Sequence, residues 1–326
     1  MLLLFLFLWS TIQLCFSERI CFLPLICFLP HDSGSLIYSG ICCFNSNVRC
    51  YPKRSFHLPV YFDHKSDGVD LGSPRIYIPA SPLKVDTAIN LEQDQARYLG
   101  QVLRLKSGAP VRIFNGQDGE LEGEFAPVIK NNRAIGGQLN VKRVLREQEA
   151  EEKLDVWLAF APIKTKRLKL LLEKATELGV DMLWPVVTEN TAVARPERQT
   201  DKMDVQLVEA SEQCERLSIP VLNKCSSSLE QLLAEWPQER KLYVCQERSQ
   251  ARSIMDELVQ ARTMHCGFLI GPEGGFSDNE INLLKAKHFT SFISLGTLVL
   301  RAETAAFYAL TCWNAYRNGD VFNQAL

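Results

Sequence analysis

Two short stretches bring together residues able to do chemistry. In "LIGPEGGFSDNE", Leu269 to Glu280, an apolar run ends in a bend poor in side chains, formed by Gly271, Pro272, Glu273, Gly274 and Gly275. Glycine accepts positive φ and carries no Cβ, so such a bend after a strand lets main chain approach a ligand closely. The spacing lacks the Lys and hydroxyl of a GxxxxGK[ST] phosphate loop, and it does not fit GxGxxG. In "VLRAETAAFYALTCW", Val299 to Trp313, Arg301 and Glu303 stand where a helix is expected to begin, with Ala306, Ala309, Leu310 and Trp313 on its buried face. A guanidinium at a strand end beside a pocket can pair with an anion, and an ordinary salt bridge is the plainer reading. For Glu303 the plainer reading is favourable contact with the positive helix end. Two glycine-containing loops after neighbouring strands would line a pocket with main-chain N–H and C=O groups, which suits an adenine edge. Tight turning alone would use the same glycines.

A third group is basic: Lys164, Lys166, Arg167 and Lys169, with Arg75, Arg104 and Lys106 earlier in the chain. These are candidate phosphate contacts, although a solvated helix face explains Lys164 to Lys169 equally well. No GxSxG or HExxH is present, which takes weight from hydrolase readings. The eleven cysteines form no CxxC and the five histidines lack ligand spacing, so no metal site is expected. A net charge of -2 leaves the partner open, because a local basic face can hide inside a neutral total.

The elements that must position these residues fall into two patterns. From Pro74 to about Leu145 short β-like runs alternate with turn signals, as expected of a small β-barrel, interrupted by one helical stretch, "LEQDQARYLGQVLRLKSG", with Gly108 as its stop. The charged run "EQEAEEK" reads as a linker. After Leu154 the pattern becomes strand and helix in alternation. "LDVWLAFAP" and "VDMLWPVV" flank "KTKRLKLLLEKATELG", whose Leu168, Leu171, Leu172, Ala175 and Leu178 share a helical face that ends at Gly179. With further strands at Leu242 to Cys245, Cys266 to Ile270 and Phe292 to Leu295, this implies a parallel sheet covered on both faces. Ligands in such sheets sit beyond the carboxyl ends of strands, where both glycine loops lie.

"LIGPEGGFS" (Leu269 to Ser277), "SLGTLVLRAETAA" (Ser294 to Ala306), "KATELGV" (Lys174 to Val180) and "EQCERLSIP" (Glu212 to Pro220) together resemble the bacterial RsmE family of 16S rRNA uracil-N3 methyltransferases. "PRIYIP" and "QVLRLKSGAPVRIFNG" resemble its amino-terminal domain, so the similarity runs from about Arg75 to the end. The resemblance implies a SPOUT α/β trefoil-knot methyltransferase domain, over 153–326, preceded by a small PUA-like β-barrel that binds RNA, over 74–146. It implies S-adenosylmethionine held in the knot by Leu269, Gly271, Pro272, Glu273, Gly274, Leu295, Gly296, Leu300, Arg301 and Thr304. Arg301 and Glu303 become catalytic candidates, and Arg75, Arg104, Lys106, Lys164, Lys166, Arg167 and Arg216 become RNA-binding candidates. The partners implied are small-subunit rRNA, or the assembled small subunit, and a second copy of the chain as a homodimer. Asn190, Ser218 and Leu298 stand where this family usually shows Arg, which weakens the expected phosphate contacts.

Residues 1–70 are set apart from the fold. "MLLLFLFLWSTIQLCFS" is short for a membrane span and resembles a secretory h-region without a basic n-region. Up to Phe62 the only acids are Glu18 and Asp32, as in organellar transit peptides, and an erroneous first exon would look similar. A chloroplast protein is expected, with the mitochondrion as the alternative and no membrane partner. Two rivals remain: a nucleotide-dependent oxidoreductase, which would need an acidic residue about twenty positions after a GxGxxG turn, and an RNA-binding assembly factor without catalysis.

Overall fold

The computed structural model describes residues 72–79, 82–130, 133–151, 153–193, 200–247 and 251–318. All of them belong to one compact unit, Gly68–Leu326. The segment 1–70, its expected targeting role included, lies outside the described residues.

The first part is a five-stranded sheet ordered β1-β3-β4-β5-β2, from β1 (Arg75–Tyr77), β2 (Ala88–Asn90), β3 (Pro110–Phe114), β4 (Glu120–Lys130) and β5 (Arg133–Arg146). Along β4 the inward residues Leu121, Gly123 and Phe125 alternate with half-buried Glu122 and Glu124, the period-2 pattern of a sheet with one covered face. Register shifts at Glu120/Leu121, Glu122/Gly123 and Val128/Ile129 bend the long β4–β5 hairpin around a core of Ile76, Leu99, Val111, Ile113, Phe125 and Leu139. The expected helix is shorter than its apolar pattern suggested. It runs as α1 (Gln93–Arg97) and one wide turn, Tyr98–Val102, and stops well before Gly108. Arg104 then takes φ 55°, a conformation that no helix continues. The 147–153 run is not a bare linker: Glu151 Oε1 accepts from the main-chain N–H groups of Leu217 at 2.8 Å and Ser218 at 3.2 Å.

The second part is a seven-stranded, wholly parallel sheet ordered β10-β12-β9-β11-β6-β7-β8. Its elements are β6 (Val156–Phe160), α2 (Thr165–Glu177), β7 (Met182–Pro185), α3 (Thr200–Gln213), β8 (Val221–Leu222), α4 (Leu229–Glu235), β9 (Lys241–Cys245), β10 (Arg252–Ser253), α5 (Ile254–Ala261), β11 (Cys266–Ile270), α6 (Asp278–Lys285), β12 (Thr290–Ser294) and α7 (Ala302–Asn318). Both faces are covered. Val156, Leu158 and Phe160 of β6, with Cys266, Phe268 and Ile270 of β11, pack under α2, α3, α5 and α7. Ala159 and Leu269 point the other way, into a core with α4 and α6. That second face holds a group of indoles: Trp157, Trp184 and Trp236 lie with ring centroids 5.4 to 6.4 Å apart.

Helix α2 shows how sequence sets these boundaries. Leu168, Leu171, Leu172 and Ala175 are buried at i, i+3, i+4 and i+7, each leucine contributing about 1.5–3 kcal/mol. Gly179, at φ 80°, then ends it: Val180 N donates to Ala175 O and Gly179 N to Thr176 O, each at 3.0 Å. From β12 the chain passes through 295–301 into α7, which returns across β6 and β11 to pack on α2 and α5. The expected knot requires this return across strands laid down earlier.

Candidate active site

Strands β9, β11 and β12 end side by side, and a cavity of about 350 Å³ opens beyond their carboxyl ends. Its walls come from three chain segments. Cys245 ends β9, with Gln246 and Glu247 after it; Gly271 to Glu273, Gly275 and Phe276 follow β11; Leu295, Gly296 and Leu298 to Ala302 follow β12. The size falls in the range of small-ligand pockets. The lining is an apolar shell of Ile270, Phe276, Leu295, Val299, Leu300 and Ala305 around exposed main chain, with Glu247, Glu273 and Arg301 as charged groups. Such a shell with sparse polar groups fits a flat nucleoside presented with a positively charged tail.

The β11 bend is held from two sides. Gly275 N donates to Pro272 O at 2.9 Å, closing the turn, and only Gly275 among the bend's glycines has a positive φ, 71°. Asn190 Nδ2 donates to Gly275 O at 2.9 Å and lies 3.4 Å from Gly274 O, so the residue standing where an Arg was expected fastens the loop. Behind the bend, Ser277 and Glu280 form a capping box at the start of α6. Buried Glu280 accepts from Ser277 N at 2.9 Å and Glu189 N at 3.0 Å, which ties the loops after β7 and β11 together. Gly271 serves a different need from the one its type suggested: a Cβ there would lie 2.9 Å from Phe276 Cε2, so it makes room for the ring that walls the cavity.

The chain matches the RNA methyltransferase domain family over residues 150–314 and the RNA methyltransferase PUA domain family over 91–132. It is 32% identical over 237 residues to ribosomal RNA small subunit methyltransferase E of Rickettsia conorii, covering 72% of this chain and 93% of that one. The chain belongs to the ribosomal RNA small subunit methyltransferase E family. A Synechocystis member is 29% identical over 71% of this chain and 74% of its own length. A Legionella pneumophila methyltransferase fold solved with S-adenosylmethionine bound superposes with a TM-score of 0.66 at 30% identity, covering 74% of this chain and 97% of that one. The architecture is therefore the SPOUT α/β fold with a PUA-like domain before it.

Gly271, Pro272, Glu273, Leu295, Gly296, Leu300 and Arg301 line the cavity together. Leu269, Gly274 and Thr304 do not. Leu269 is wholly buried in the core of the opposite face, Gly274 abuts Asn190, and Thr304 is exposed. Glu303 is buried behind the wall, with Oε1 3.7 Å from Arg167 Nε and Oε2 without a protein partner. Cys245, Gln246, Glu247, Phe276 and Val299 also line the cavity and were missed, while Leu298 was singled out only as the place of an expected Arg. The only signal for them was position, at or after a strand end, and strand order was needed to use it.

The basic candidates divide. Arg104, Lys106, Lys164 and Lys166 are exposed, while Arg167 is paired with Glu273 at 3.3 Å and Glu303. Arg75 is a correction, because it is structural, and Arg216 is largely committed to main-chain contacts. Arg75 lies over the Phe114 ring at 3.7 Å, pairs with Glu120 at 2.6 Å and donates to the main-chain oxygens of Ser211 at 2.8 Å and Arg216 at 2.7 Å, at the carboxyl end of α3. Arg216 donates to Val180 O at 2.8 Å and Thr176 O at 3.1 Å and is nearly covered. The Arg75 guanidinium is closed to a phosphate, whereas Arg216 keeps an edge on a second cavity with Lys153 and Ser218. Among the described residues, no cluster of three or more His, Cys, Asp and Glu is arranged to hold a metal, and no helix is long and apolar enough to cross a membrane.

Proposed function

We propose that this protein methylates N3 of a uridine in small-subunit ribosomal RNA, using S-adenosylmethionine, during maturation of an organellar ribosome. The carrying observation is the cavity beyond β9, β11 and β12, walled by two glycine loops with Arg301 at its exposed rim. Bound there, S-adenosylmethionine supplies a methyl group on a sulfonium. Gly271, Pro272, Glu273, Gly275, Leu295, Gly296 and Leu298 to Leu300 would offer main-chain groups to its adenosyl portion, and Ile270, Phe276 and Val299 would exclude water from it. N3 lies on the pairing edge, so the uridine must first leave its stack, at a cost of a few kcal/mol. Arg301 then favours the anionic imide over the neutral one, because an adjacent opposite charge stabilises the deprotonated form.

The deciding experiment is single-turnover methylation of purified small-subunit particles, with nucleoside mass spectrometry and reverse-transcriptase arrest as readouts. Wild type should yield 3-methyluridine. Arg301→Ala should lower turnover by roughly 10²–10³-fold while cofactor affinity holds. A methyl on C5 or on a ribose would sink the assignment.

A homodimer is part of the same proposal, supported by exposed Tyr308 on α7 and by Leu298 and Val299, 78% and 56% exposed, at the cavity mouth. Light scattering should give twice the chain mass, and a fully active monomer would exclude it. The acid-poor residues up to Phe62 support import into the chloroplast. Imaging the full chain fused to a fluorescent protein tests that, with mitochondrial signal as the contrary result.

A further inference from the structure

We infer that Arg97–Lys106, on the PUA-like domain, is a stacking platform for one unstacked nucleotide of a single-stranded stretch of RNA. Tyr98 supplies the ring, and Arg104 and Lys106 supply the phosphate contacts. The inference rests on the reading that RNA is the substrate.

The backbone of this segment is irregular in two places. Leu103 N donates to Tyr98 O at 2.9 Å, five residues back rather than four, and wide turns of this kind gather at functional sites. Arg104 then holds φ 55°, where Gly or Asn is the usual occupant. A bulky cation kept in that conformation is an observed outlier, which points from strain toward use.

The segment is nevertheless fixed. Leu105 N donates to Leu99 O at 3.0 Å; Leu99 is wholly buried, and Leu105 packs against the same core. With Leu99 and Leu105 turned inward, their neighbours are turned out. Tyr98 is 45% exposed and Val102, one turn on, is 63% exposed. Arg104 and Lys106, on either side of Leu105, are exposed as well.

Charge decides the occupant. The exposed side chains within a few residues of Tyr98 are Arg97, Arg104 and Lys106, against Glu92 and Asp94 near the start of α1. An exposed aromatic face among cations matches a nucleobase flanked by phosphates, since every base has a π-face to stack.

The test is anisotropy of the full chain with a labelled single-stranded oligoribonucleotide, alongside methylation of small-subunit particles. Tyr98→Ala should weaken binding by roughly 5- to 150-fold. Tyr98→Phe should restore it, and Tyr98→Leu, apolar but without a ring, should not. Arg104→Gly relieves the backbone and removes the cation, so it should fold at least as well and lower the salt slope of binding by about one. Wild-type affinity in Tyr98→Ala or Tyr98→Leu overturns the platform. So does a Tyr98→Ala variant that merely changes the dimer in light scattering. If those variants bind normally while wild type still makes 3-methyluridine, the platform is wrong and the enzyme reading stands. If they lose RNA while wild type makes no such product, the platform stands and the enzyme reading falls.

Discussion

Gly271 carries no side chain because Phe276 occupies the space where one would go. An added Cβ meets Phe276 Cε2 at 2.9 Å and Cζ at 3.0 Å. Gly271→Ala should therefore leave the fold intact and displace the ring, weakening S-adenosylmethionine binding by roughly tenfold in calorimetry. Unchanged affinity would mean that Phe276 does not touch the cofactor. The glycine-rich bend beyond a strand end was legible from residue type alone, but the reason for each glycine was not. Positive φ is needed at Gly275, whereas Gly271 and Gly274 answer to Phe276 and Asn190, contacts that only the folded chain creates. Arg75 makes the same point from the other side: a lone cation in "PRIYIP" reads as exposed until α3 brings its terminal carbonyls to it.

A loop of glycines has little stiffness of its own, so its shape is borrowed from α6. Glu280 links the first turn of that helix to Glu189 in the loop after β7. Glu280→Ala leaves two main-chain N–H groups without their acceptor, and should cost roughly 1–3 kcal/mol in urea unfolding. Cofactor affinity should fall with it, because Asn190, beside Glu189, is what holds Gly275. A variant destabilised to this degree that still binds normally would separate the cap from the site. Elements were the most legible scale. The strands and α2 follow from period and from a Gly stop. The helix after Leu91 was over-extended because its apolar spacing continues past Val102, while the wide turn and the left-handed Arg104 leave no mark in spacing.

The two folded parts of the chain are joined by charge. Buried Glu120 on β4 takes Arg75 on one oxygen at 2.6 Å and Arg146 on the other at 2.7 Å, and Arg112 reaches across to Glu215 at 2.8 Å. Glu120→Gln removes the charge of a buried carboxylate from buried Arg75 and part-exposed Arg146 and should cost about 3–5 kcal/mol in chemical denaturation. A loss no larger than that of the more exposed Glu215→Gln would refute this role. Burial works against ionisation of Glu215, but the hydrogen bond from Arg112 and the charges of Arg112, Arg146 and Arg75 outweigh it and hold its carboxyl below the usual range. Its contribution is thus full at neutral pH and is lost as pH falls through the lowered folded value. Wild type should lose more thermal stability on acidification than Glu215→Gln. No sequence pattern announced this joint, since its members are spread from Arg75 to Glu215. The three clustered indoles on the opposite face of the sheet have an optical consequence. Trp157, Trp184 and Trp236 are close enough to exchange excitation, so their emission should behave as one chromophore that reports the cohesion of α4 with the sheet. Because no tryptophan is among the described residues that line the cavity, that emission should stay dark to cofactor and leave ligand titrations to other signals.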